Sequence, residues 1–86
     1  MALSDQDKRQ RGIDARALLD APLIVEAFAR LETDTVDDIA RSDRTDLRKM
    51  GALAERLRVI RGLKDELRSI VTTGEEVKHR QERESQ

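Results

Sequence analysis

The stretch LAERLRVIRGLKDELRSIV, Leu53 to Val71, decides the fold. Its residues Leu53, Leu57, Ile60, Lys64, Leu67 and Val71 step by 4, 3, 4, 3 and 4, the spacing of a helical packing seam, with one lysine in it. Leu47, Met50 and Ala54 lie beside the early half of the seam, and Leu63 and Ile70 flank its late half. The apolar stripe therefore moves around the helix faster than a strict heptad seam. Two readings follow. In one, a wide core stripe serves a simple hairpin. In the other, the early half packs on a hairpin partner and the late half on a second neighbour. Gly51 and Gly62 suit close helix approach or a slight bend.

Extended outward, this helix spans about residues 45–73, roughly 42 Å at 1.5 Å per residue. Gly74 reads as its C-terminal stop. Thr73 and Glu76 then resemble a capping box that restarts a short helix. Upstream, the polar connection RSDRTD, residues 41–46, has the length of a helix–helix turn. Before it lies a second helix of about residues 22–40. Pro22 opens it, because proline suits a first helical turn whose N–H would be unpaired anyway, with Asp20 or Ala21 as cap. Its apolar face is Ile24, Phe28, Leu31, Thr35 and Ile39, and Thr33-Asp34-Thr35 is a weak patch where it could bend. A short N-terminal helix, about Asp5 to Leu19, begins at a Ser4/Asp7 capping pair. Gly12 weakens it, and fraying before Ile13 is expected. Alternating, β-branched and aromatic strand signals are missing. The fold class is all-α: a helical hairpin of an acidic helix and a long basic helix, preceded by a short helix. Residues 1–78 form one domain, and 79–86 a mobile charged tail.

Charge separates the two arms. Residues 21–46 hold Glu26, Glu32, Asp34, Asp37, Asp38, Asp43 and Asp46 against Arg30, Arg41 and Arg44, net -4. Residues 47–73 hold Arg48, Lys49, Arg56, Arg58, Arg61, Lys64 and Arg68 against Glu55, Asp65 and Glu66, net +4. The arms can neutralise each other within one hairpin, or set the orientation of one subunit on the next. The core expected of the hairpin is Ile24, Phe28, Leu31 and Ile39 against Met50, Leu53, Leu57 and Ile60. Only 23 of the 86 residues are Leu, Ile, Val, Met or Phe. So small an apolar content falls short of the cost of ordering the chain, and favours burial against a second copy. Leu19, Leu23, Leu63, Leu67, Ile70 and Val71 are the candidates for that oligomer interface.

Charged residues make up 41% of the chain and aromatics 1%. With no cysteine, disulfide and thiolate chemistry are excluded. No run approaches a membrane span, and MALSDQDKRQ lacks the apolar region of a signal peptide. The expected location is the cytoplasm. Catalysis has no candidate residues: His79 is the single histidine, Ser42, Ser69 and Thr72 have no histidine nearby to activate them, and the four glycines form no phosphate loop. No metal ligands, cofactor or small-molecule substrate are expected. Arg58, Arg61, Lys64 and Arg68 share a broad face that could meet DNA phosphates, and Arg41, Arg44, Arg48 and Lys49 cluster near the start of the same helix. A pI of about 5.8 and the lack of stacking aromatics weigh against DNA binding.

RGIDARALLDAPLIVEAFARLE and GALAERLRVIRGLKDELRSIVTTG together resemble short proteins encoded by tailed bacteriophages and prophages. The shared pattern is Arg11-Gly12, Ala15, Leu18-Leu19, Pro22, Glu26-Ala27-Phe28, Leu67 and Gly74. It covers about residues 11–76. Those proteins lie among packaging and head genes. Their helical hairpin is similar to the oligomerisation core of small terminase subunits, which form rings, recognise viral DNA and regulate the large terminase. The resemblance implies a non-enzymatic, homo-oligomeric packaging protein, with the large terminase and double-stranded DNA as partners, in the host cytoplasm or in the virion. The sequence departs from many small terminases in lacking an N-terminal helix-turn-helix. The alternative is a small adaptor or regulator that binds a viral or host protein without touching DNA.

Overall fold

The computed structural model of the chain describes residues 2–85, and all of its regular structure is helical: α1 Asp5–Asp20, α2 Pro22–Arg41 and α3 Leu47–Glu84. The start of each helix follows from its cap. Ser4 Oγ accepts from the Asp7 N–H at 3.1 Å, and Asp5 and Asp7 lie in the first turn, where the helix dipole favours acids. Ala21 is extended, as a residue before proline must be, and α2 opens on Pro22 with no side-chain cap. Asp46 caps α3 by accepting from the Lys49 N–H at 3.1 Å. In the α2–α3 connection, Asp43 Oδ1 accepts from both the N–H and the hydroxyl of Thr45. These bonds hold the Asp43 carboxyl below its ordinary pKa.

The third helix runs eleven residues past its expected end at Thr73. It neither stops at Gly74 nor restarts at Thr73, and residues 79–84 belong to it. At 38 residues it is about 57 Å long, and it sets the longest dimension of the 61 × 28 × 19 Å molecule. Both shorter helices run antiparallel to it. Arg80 and Gln81 meet Asp5 and Arg9, and Gly74 meets Gly12. Further back along α3, Lys64 meets Glu32 and Arg56 meets Asp38. Thus α1 and α2 lie in succession along one spine, with a corner at Asp20–Pro22.

This layout explains the drifting stripe. The late half of α3 does have a second neighbour, but that neighbour is α1 of the same chain. Beyond Val71, the buried positions step by 3 and 3, to Gly74 and Val77. Each step of three turns the stripe back by about 60°, toward the side where α1 lies. The closest approach is backbone to backbone. A Cβ on Gly74 would lie 3.0 Å from Gly12 Cα and 3.0 Å from the Lys8 carbonyl oxygen. Gly51 and Gly62 have nothing within 4 Å of such a Cβ, so the close-packing glycines are Gly12 and Gly74. Gly12 is buried inside an unbroken α1, which shows no fraying before Ile13.

The core is thin. Ala15, Leu53, Ile60, Val71 and Val77 are its buried apolar residues. Thr35 is buried as well, at 2% exposure. Its hydroxyl donates to the Leu31 carbonyl at 2.7 Å, so the polar group is satisfied, and α2 is unbroken through the suspected weak patch. Of the expected hairpin core, Leu53 and Ile60 are buried, and Ile24, Phe28, Ile39, Met50 and Leu57 are half-buried. Leu31 is half exposed, because beyond the corner α2 packs on α3 alone and its flank faces outward.

Candidate interaction surface

The basic row on α3 is brought to one side of the molecule, and there each base finds an acid. Lys64 Nζ lies 2.9 Å from Glu32 Oε1 on α2, both side chains about one quarter exposed. Arg61 Nε stands 3.9 Å from the other oxygen of Glu32. Arg58 pairs with Glu55 at 2.6 Å and Arg68 with Asp65 at 3.3 Å, each one turn away on α3. The lysine in the apolar seam is therefore a cross-helix ion pair. Sequence reading placed Lys64 in the seam but missed its partner, although Glu32 lies one residue from the core position Leu31.

The Lys64 hydrogen bond lowers the pKa of Glu32 below the ordinary 4.5; partial burial opposes this, and the charges of Lys64, Arg61 and Arg68 add to it. The contribution of Glu32 to stability is thus fully present above about pH 4.5 and is lost as pH falls through the depressed folded-state value. Thermal melts of wild type and Glu32→Gln between pH 7 and pH 3 check this: the gap in Tm should be widest near neutrality and close in acid.

A second basic cluster lies at the α2–α3 connection. Arg41 is bound to Asp38 at 2.9 Å, while Arg44, Arg48 and Lys49 are exposed and pair with no carboxylate among the described residues. Asp43 and Asp46 are nearby, but their oxygens serve the local caps.

The third surface is apolar. Asp38 and Arg56, 4.0 Å apart, fix which flanks of α2 and α3 meet on that side. On the Asp38 flank of α2, Leu31 lies seven residues back, with Ala27 and Leu23 at successive turns. On the Arg56 flank of α3, Val59 and Leu63 lie three and seven residues on. Leu23 is 78% exposed, Val59 60%, Leu63 53% and Leu31 50%. Leu18 of α1, 46% exposed, continues this side: it lies seven residues after Arg11, which shares a groove with Glu66 and Ile70 of α3. Contiguous exposed apolar side chains of this kind mark contact surfaces.

Of the interface candidates, Leu23 and Leu63 belong to this face. Leu19 is half-buried in a hollow at the corner with Ile24, Phe28 and Arg68. Val71 is buried beside Gly12 and Gly74, and Ile70 is half-buried in the groove beside α1. Leu67 is half-buried too. Val71 is thus spent within the chain, because α1 occupies the place expected of a neighbouring subunit. Among the described residues, no group of His, Cys, Asp and Glu could hold a metal ion, and no helix is long and apolar enough to cross a membrane.

Comparison with family models, with curated proteins and with solved structures yields no match.

Proposed function

We propose that this chain is a non-enzymatic, self-assembling subunit of a phage packaging and head module, small-terminase-like, working through protein–protein contact. The observation that carries the contact reading is the apolar face of Leu23, Leu31, Val59 and Leu63, on the flank opposite a basic row whose charges are already paired. The phage setting rests on the resemblance of residues 11–76. Regulation of the large terminase is the natural task for such a subunit. Its test is the ATPase of the large terminase encoded by the same genome, measured with and without this chain. A change in rate that titrates to a fixed stoichiometry supports the reading, and an unaltered rate with no co-sedimentation removes it.

A DNA-contacting version is favoured by one observation, the bases Arg44, Arg48 and Lys49 at the tip of the α2–α3 connection, which have no carboxylate partner among the described residues. In a mobility-shift series from 25 to 200 mM salt, binding by this tip should fall steeply with salt. It should also be lost in Arg48→Glu/Lys49→Glu and largely kept in Arg61→Glu/Arg68→Glu. Absence of binding at the lowest salt leaves the adaptor reading, in which the partner is a viral or host protein.

A further inference from the structure

We infer that the apolar face between α2 and α3 is covered by the same face of a second copy, with the two-fold axis running along the helices. The inference rests on the self-assembly reading above and specifies its contact and orientation.

Size comes first. α2 has 20 residues, about 30 Å, and two helices side by side are about 20 Å wide. The face thus offers on the order of 600 Å² per copy, which reaches the ~1,200 Å² total of the smaller specific interfaces. Leu18 extends it further. A hairpin only two helices thick leaves these residues half exposed or more, and a matching hairpin converts the two layers into a four-helix bundle.

Charge then selects the orientation. A face-to-face pair can be built with its two-fold axis along the helices or across them. With the axis across the helices, each acidic α2 lies on the other acidic α2, and each basic α3 on the other α3. With the axis along the helices, α2 of one copy covers α3 of the other. Every adjacent pair in the bundle is then one net-negative and one net-positive segment, and like segments sit on the diagonals. Residues 21–46 carry net -4 and residues 47–73 net +4, so the second arrangement is the complementary one. Asp34 and Asp37 of α2 are exposed beside this face and pair with no base among the described residues. In the bundle they lie toward α3 of the other copy.

Sedimentation velocity of the full chain between 1 and 200 μM tests this. The wild type should dimerise, and Leu63→Glu and Val59→Glu should each raise the dissociation constant at least about a hundredfold, because a charge would be buried without a partner. Both positions are exposed in the single chain, so helical circular dichroism should be retained. Val25→Glu, exposed on the opposite flank of α2, should leave association unchanged and serves as the control. Asp34→Lys/Asp37→Lys separates the two axes: association should weaken and lose its salt dependence. Stronger association would show acidic helices facing each other and overturn the orientation, as would no change. A wild type that oligomerises regardless of Leu63→Glu overturns this face while self-assembly stands. A wild type monomeric at 200 μM overturns both.

Discussion

Gly74→Val should destabilise the chain by about 3 kcal/mol and release α1 from the spine. The site is the nearest approach of two backbones, where even a Cβ at 74 would meet Gly12 Cα and the Lys8 carbonyl, each at 3.0 Å. Neither obstacle is a flexible side-chain end, so relief requires α1 to move away as a unit. A β-branched residue adds two further carbons and forces a larger shift. The better helix propensity of valine returns only a few tenths of a kcal/mol. Separation of the helices also costs the burial of Ala15, Val71 and Val77 and the Arg9–Gln81 and Asp5–Arg80 contacts. Hydrogen exchange should show protection lost over α1 and the last turns of α3, with α2 and the early half of α3 retained. The control is Gly62→Ala, where nothing lies within 4 Å of a new Cβ. It should raise stability by up to about 1 kcal/mol. A uniform loss of protection in Gly74→Val, or a loss of stability in Gly62→Ala as large, would show that the close glycine contact does not hold α1.

The two glycine sites show where sequence reading stops. Periodicity places the hairpin seam well: Leu53 and Ile60 are buried as their spacing requires, Pro22 opens a helix, and Ser4 caps one. All of this is local, set by 3.6-residue geometry and by cap chemistry. Gly74 is different. Locally it is a helix stop, and its role comes from Gly12, 62 residues away, whose close approach removes the space any side chain would need. Val77 had the same fate: alone among charges it gives the expected restarted short helix no core of its own, yet it is buried once α1 is laid on α3. Lys64 was legible as a charge in an apolar seam, but the acid that neutralises it sits on another helix. Alternation of charge along one helix says which residues are basic, and only the packing says which of them are already paired.

Leu53→Ala should be the most damaging truncation in the α2–α3 half, at about 2–5 kcal/mol, or a drop in Tm on the order of 15 °C for a chain of this size. Leu53 is 5% exposed and lies one turn from the Asp38–Arg56 pair, at the end of the molecule that α1 does not reach. Leu47→Ala, six residues earlier at 78% exposure, should change stability by no more than about 0.5 kcal/mol. Where in the range Leu53→Ala falls depends on assembly. In a lone hairpin two helices thick, α2 can settle onto α3 and fill part of the cavity, so the cost stays near the lower end. In a four-helix bundle both helices are held from the other side, the cavity persists, and the cost moves toward the upper end. The penalty measured by denaturant titration at 200 μM should therefore exceed that at 2 μM, because association is linked to folding. Equal penalties at the two concentrations would mean that nothing packs across the α2–α3 face, since only a second layer can keep α2 from closing the gap left by Leu53.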